Sequence, residues 1–144
     1  MTDPFYGRRL SSINRAIRQA WVDGLFNLPT AFDNETFEPP GGPYASLAIE
    51  QGQATISTLG DSGTDEVQGL IDIILNYPVG QGSGYAEEKA DEIYNYFIKG
   101  KRFSHEGVNV VINTSGIRST ASNDTHYQVL YEITYQAFLI RGLV

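Results

Sequence analysis

The sequence predicts an α+β fold: a mixed, mainly antiparallel sheet of about four to five strands with two main helices packed on it. Three observations carry that expectation. Residues 67–77, Val-Gln-Gly-Leu-Ile-Asp-Ile-Ile-Leu-Asn-Tyr, make a β-branched, apolar run closed by Pro78, which reads as a well-buried strand. Tyr85 to Lys99 repeats Ala86, Ala90, Ile93 and Phe97 at helical spacing. Tyr127, Val129, Tyr131, Ile133, Tyr135 and Ala137 alternate with Gln128, Glu132, Thr134 and Gln136, the signature of a half-buried antiparallel strand.

Taken in order, Met1 to Gly7 reads as a frayed arm with a turn at Pro4. Ser11 or Ser12 then caps a helix whose inner face carries Ile13, Ile17, Ala20 and Trp21. At 100° per residue Arg8, Arg15 and Arg18 fall on the opposite face, and the helix ends near Gly24 or Asn27. Leu28 to Pro43 holds Pro29, Pro39, Pro40, Gly41, Gly42 and Pro43, so it reads as a long connection. Its Phe32 and Phe37 argue that it lies against the domain or a neighbour. Tyr44–Ile49 and Gln53–Thr58 read as two strands of a hairpin around Glu50–Gly52, and Leu59–Asp65 as a polar turn. Gly80 to Gly84 breaks regular structure before the second helix, which has Glu87 and Glu88 in its first turn, Lys99 in its last and Gly100 just beyond. Gly107–Thr114 reads as a central strand, and Ser115–Thr125 as a small polar loop, mobile or ordered by a partner. No repeat and no second domain is visible, so 1–144 reads as one domain.

The 144 residues are enough for a core without staples, and the absence of cysteine excludes disulfides, thiolate zinc and a cysteine nucleophile. No window approaches the ~20 apolar residues of a membrane span, and the N-terminal segment lacks a signal-peptide core. Net charge is -7, unevenly spread: Arg8, Arg9, Arg15 and Arg18 come early and the next base is Lys89. An acidic chain of this kind repels phosphates, so direct nucleic-acid binding is not its main task.

Catalytic chemistry is sparse. Gly80-Gln81-Gly82-Ser83-Gly84 lacks nucleotide-binding spacing, no Gly-Lys-Ser/Thr follows, and Glu87 and Glu88 have the wrong sign for phosphate. His105 and His126 have Glu106 and Asp124 nearby but no metal-ligand spacing, so neither metal nor cofactor is expected. Asp72 is the acid in an unusual place, inside an apolar strand. Paired with Glu132 or another acid across the sheet it could work as an acid/base, but a solvated or subunit-facing sheet surface is the simpler reading.

Three blocks in order resemble the tail terminator proteins of long-tailed bacteriophages over nearly the whole chain. They are Phe32-Asp33-Asn34 with Phe37-Glu38-Pro39-Pro40 and Tyr44; Gly69-Leu70-Ile71-Asp72-Ile73 through Tyr77-Pro78 and the Gly80/Gly82 turn; and Ala90-Asp91 with Ile93, Phe97, Gly100 and Phe103. Phe32 departs from the pattern, since similar sequences often carry tryptophan there. The resemblance implies a non-enzymatic virion protein, assembled in the host cytoplasm. It would form a hexameric ring that caps the head-proximal end of the tail tube, ends tube polymerisation and meets a head-completion protein. DNA would pass through without specific binding. Arg8, Arg15, Arg18, Phe32, Asn34, Phe37, Tyr44 and Asp72 are then the candidate assembly residues, in a chain whose basic first helix and long loops suit charge-complementary contact. Another head-tail connector of similar subunit fold, or a small-molecule module using the Gly80–Gly84 turn, are the alternative readings.

Overall fold

The computed structural model describes residues 3–60, 63–80 and 83–141. Helix α1 (Leu10–Asp23) is followed by strands β1 (Thr30–Phe32), β2 (Tyr44–Ile56) and β3 (Thr64–Pro78), helix α2 (Gly84–Tyr96), and strands β4 (Arg102–His105), β5 (Val108–Ser122) and β6 (His126–Ile140). The strands form one sheet in the order β1-β2-β3-β6-β5-β4, antiparallel throughout except for the parallel β1–β2 pair. The α+β class and two helices stand as expected, but there are six strands, not four to five.

Alternation decides the layers. Val67, Ile71, Ile73, Leu75 and Tyr77 of β3 face the helices, as do Val129, Tyr131, Ile133, Tyr135 and Ala137 of β6, and all are buried. Against them α1 buries Ile13, Ala16, Ile17, Ala20 and Trp21, and α2 buries Ala86, Ala90 and Ile93, the two stripes the spacing predicts. Each fully buried large side chain contributes about 1.5–3 kcal/mol. Both helices lie on one face, so no helix covers the other among the described residues; at one end of that other face Asn76 is nonetheless buried, opposite Tyr44, which packs against Phe37 and His126.

Several local expectations are corrected. The cap of α1 is Arg9, without a side-chain bond, and Ser12 is buried inside the helix. Arg8 precedes the helix, so it does not share the face of Arg15 and Arg18. The segment before α1 is pinned, not frayed: the Gly7 amide donates to Glu106 O (2.8 Å), and Gly7 O accepts from the Ile140 amide (2.8 Å). There is no hairpin at Glu50–Gly52. β2 runs through it with a bulge between Gln51 and Ala54. The true turn between β2 and β3 lies within residues 57–63, of which Asp61 and Ser62 fall outside the described residues. The polar stretch from Ser115 is not a loop but the outer half of β5, laddered to β6 as far as Ser122. α2 stops at Tyr96, three residues early, and Gly100 takes the left-handed conformation (φ 84°) just beyond.

Tyr135 is wholly buried with no hydrogen bond to its hydroxyl, and burial pushes its pKa up to about 12. Burial also raises Tyr77, Tyr96 and Tyr131. Below pH 10 folded and unfolded phenols are both neutral. Above it the unfolded chain ionises first, so stability falls between about pH 10 and 12, by about 1.4 kcal/mol per pH unit for Tyr135. Tyr135→Phe should reduce that alkaline loss and leave neutral-pH stability unchanged or slightly higher, because the orphaned hydroxyl is removed. Chemical denaturation at pH 8 and pH 11 checks both; a large loss at pH 8 would mean the hydroxyl has a partner.

Candidate assembly surfaces

The eight sequence-identified residues fall in four places. Arg8 donates to Pro4 O (3.2 Å), while Arg15 approaches Glu106 at 3.9 Å. Glu106 also accepts from Arg9 (3.1 Å) and Ser12 (3.4 Å), so one carboxylate gathers much of the basic segment. Arg9 in turn binds Asp3 at 2.6 Å, and that pairing lowers the Asp3 carboxyl and raises the guanidinium. The basic helix is therefore largely neutralised within its own chain.

Arg18, Phe32 and Asn34 come together at a clamp. Arg18 donates to Asp33 Oδ1 (3.4 Å), and Asp33 Oδ2 accepts from the Ile49 amide (3.3 Å), tying α1 to the edge of β2. Trp21 Nε1 donates to Thr30 Oγ1 (2.8 Å), which holds β1 in place. Asn34 turns the chain at φ 63°, a conformation its side chain tolerates better than most. Phe32 packs against the core. Phe37 and Tyr44 meet elsewhere, 5.6 Å apart, and Tyr44 meets His126 edge-on at 5.7 Å. Sequence reasoning missed His126 as the third ring of this group.

Asp72 sits directly across from Glu132 on the sheet face that neither helix covers. Like charges opposite each other cost stability, and Arg118 relieves this one by reaching Glu132 at 3.5 Å. By alternation Glu50 and Glu66 share that face, with Leu70, Ile74 and Leu130 between. His105 Nε2 lies 3.4 Å from Glu106 Oε1, and among the described residues no group of three or more His, Asp or Glu could hold a metal.

Beside the Gly80 turn lies a cleft of about 710 Å³ lined by Pro43, Tyr77, Tyr85, Glu88, Lys89 and Glu92. Its single cation, Lys89, already binds Glu92 (2.8 Å) and Phe26 O (2.6 Å), so the cleft offers phosphate no free base. Gln81 and Gly82 of the turn fall outside the described residues. No helix among the described residues is long and apolar enough to cross a membrane.

The model of the phage tail terminator proteins matches residues 10–135. The chain belongs to the phage tail terminator family. It is thus a structural protein of the phage tail and a virion component, in a family of structural proteins rather than enzymes, and its work is contact with other tail and head components. One solved structure is 25% identical to this terminator with a TM-score of 0.67, covering 86% of this chain and 94% of that one. No curated protein matches the sequence. The first residue blocks of the resemblance now have physical meaning: Asp33 is the clamp, Phe32 is partly buried against the core, and Gly69 lies beneath the Tyr135 ring.

Proposed function

We propose that this terminator closes into a hexameric ring on the head-proximal end of the tail tube, stops tube growth, and offers its other side to the head-completion protein. In this reading the chain works as one domain. The observation that supports it most is the sheet face left bare by both helices, which carries Asp72, Glu132, Glu50 and Glu66. Turned toward the ring lumen, that acidic face lets DNA pass without sticking. Arg8, Arg15, Arg18, Phe32, Asn34, Phe37, Tyr44 and Asp72 are the proposed assembly residues, with the Phe37–Tyr44 pair as the apolar anchor.

The test is polymerisation of purified tail-tube protein with and without the terminator. Tubes of limited length with a ring at one end are the expected result; unrestricted tubes without rings would overturn the reading. Within that assay Phe37→Ala and Tyr44→Ala should each cost at most about 1.5 kcal/mol of stability, because both rings are only half-buried, yet should abolish capping. Unfolded variants would instead make the two rings part of the core.

A further inference from the structure

The sheet's outermost strands are too short to cover the strands beside them. β1 pairs only with Ala45–Leu47 of β2, and β4 only with Val108–Val111 of β5. Asp33 closes the edge of β2 at Ile49. From Glu50 to Ile56 on β2, and from Thr114 to Ser122 on β5, each strand is laddered on one side and has no strand on the other among the described residues. Gly52–Ile56 and Ile117–Ser122 are exposed throughout. Bare strand edges are rows of unpaired donors and acceptors, which proteins ordinarily shorten, cover or charge heavily.

We propose that these two edges form one interface between copies: Glu50–Ile56 of one subunit pairs antiparallel with Thr114–Ser122 of the next. This rests on the ring reading above and assigns its subunit contact. Direction supports it. β2, β3, β6 and β5 alternate, so a neighbour's β5 laid beside β2 continues the same antiparallel order. Position supports it as well. β1 covers the end of β2 where β5 finishes, and β4 covers the end of β5 where β2 finishes, so the bare edges lie at opposite ends of the sheet. Joining them staggers successive subunits, and stagger is what tilted strands need to close into a barrel.

The two edges also differ from one another, so the contact is heterologous and builds rings or filaments, not two-fold dimers. Their charges match: the β2 edge carries Glu50 and no base, the β5 edge Arg118 and no acid. Ile56 (66% exposed) and Ile117 (50% exposed) supply apolar area for the junction to bury. The helices stay on one side of the joined sheet, and the acidic face becomes continuous on the other.

The chain has no cysteine, so engineered pairs report cleanly. Gln53→Cys, Ala54→Cys and Thr55→Cys would each be mixed with Gly116→Cys, Ser119→Cys and Thr120→Cys, which together sample every register that lays Glu50–Ile56 within Thr114–Ser122, then oxidised, with light scattering on the same samples and on tail-tube ends. The expected result is disulfide-linked dimers for pairs sharing one register, about tenfold above either variant oxidised alone, because only matched Cβ positions meet disulfide geometry. Rings that form without a cross-link in any pair would overturn the edge pairing while the ring stands. No ring in solution or on tube ends would overturn the ring reading and this contact with it.

Discussion

Gly69→Ala is expected to lower stability by about 3 kcal/mol, at the upper end of overpacking costs, because the added methyl has no room. A Cβ on Gly69 would collide with the Glu50 carbonyl oxygen and with the hydroxyl end of the Tyr135 ring. Neither yields readily. Glu50 is held in the ladder between β2 and β3, and Tyr135 is completely buried opposite Gly69 on β6. Glycine inside a strand is otherwise a weakness, and here an aromatic ring lies over it and restores apolar cover. The β2 bulge between Gln51 and Ala54 sits at the same level, so a shift at Gly69 would spread into the strand that leads to the proposed subunit contact. For a chain of this size the melting temperature should fall by about 6–12 °C. Gly116→Ala is the control: nothing lies within 4 Å of its added Cβ, and the change should stay within about 0.5 kcal/mol. Equal melting curves for the two variants would show that β2 and Tyr135 relax without cost.

Phe97→Ala should cost about 3–5 kcal/mol, the range for removing a buried aromatic side chain. Phe97 is 1% exposed and sits where three parts of the fold converge. Its ring stands 6.1 Å from Phe26 beyond α1, 5.0 Å from Tyr96 at the end of α2, and 6.2 Å from Phe103 on β4. Phe26 in turn lies 4.5 Å from Trp21, so the hole would open beneath both helices. The melting temperature should drop by about 6–20 °C, with near-ultraviolet circular dichroism losing intensity from the aromatic cluster. The contrast with Phe37→Ala is the informative part. Both phenylalanines belong to the blocks that resemble the family, yet one is core and the other lies on the surface proposed for assembly. A Phe97→Ala protein of normal stability that fails to cap tubes would reverse that assignment.

The elements legible from the chain alone are those whose signal is local. The stripe Ile13, Ile17, Ala20, Trp21 and the stripe Ala86, Ala90, Ile93 specify two helices whatever they pack on. The period-two alternation from Tyr127 to Ala137 specifies β6, and the apolar run before Pro78 specifies β3. The candidate site was less legible. Arg18 meets Asp33, and Tyr44 meets His126, across separations that no spacing rule spans.

The elements that were missed depend on a partner strand. β1 and β4 have three and four residues, too few for periodicity to register. The β4–β5 turn uses Glu106 and Gly107 at φ 48° and 81°, where the usual hairpin signal is Asn-Gly or Asp-Gly. Glu106 takes that conformation in a turn where its carboxylate receives Arg9, Arg15 and Ser12 from the helix side. Glu50–Gly52 resembles a turn in isolation, but pairing with Gly69 and Leu70 keeps β2 running, and the surplus residue becomes a bulge. Ser115–Ser122 is polar enough to pass for a loop, and only the ladder to β6 makes it strand.

The sequence by itself therefore determined the class, the two helices, the two central strands and the family likeness, because side-chain periodicity and local propensity are properties of neighbouring residues. Strand count, the reach of β2 and β5, the bare edges and the pairing of Asp72 with Glu132 were decided only in the tertiary structure. Backbone hydrogen bonds between strands join residues far apart in sequence, and a polar segment records in its own composition nothing of the partner that orders it.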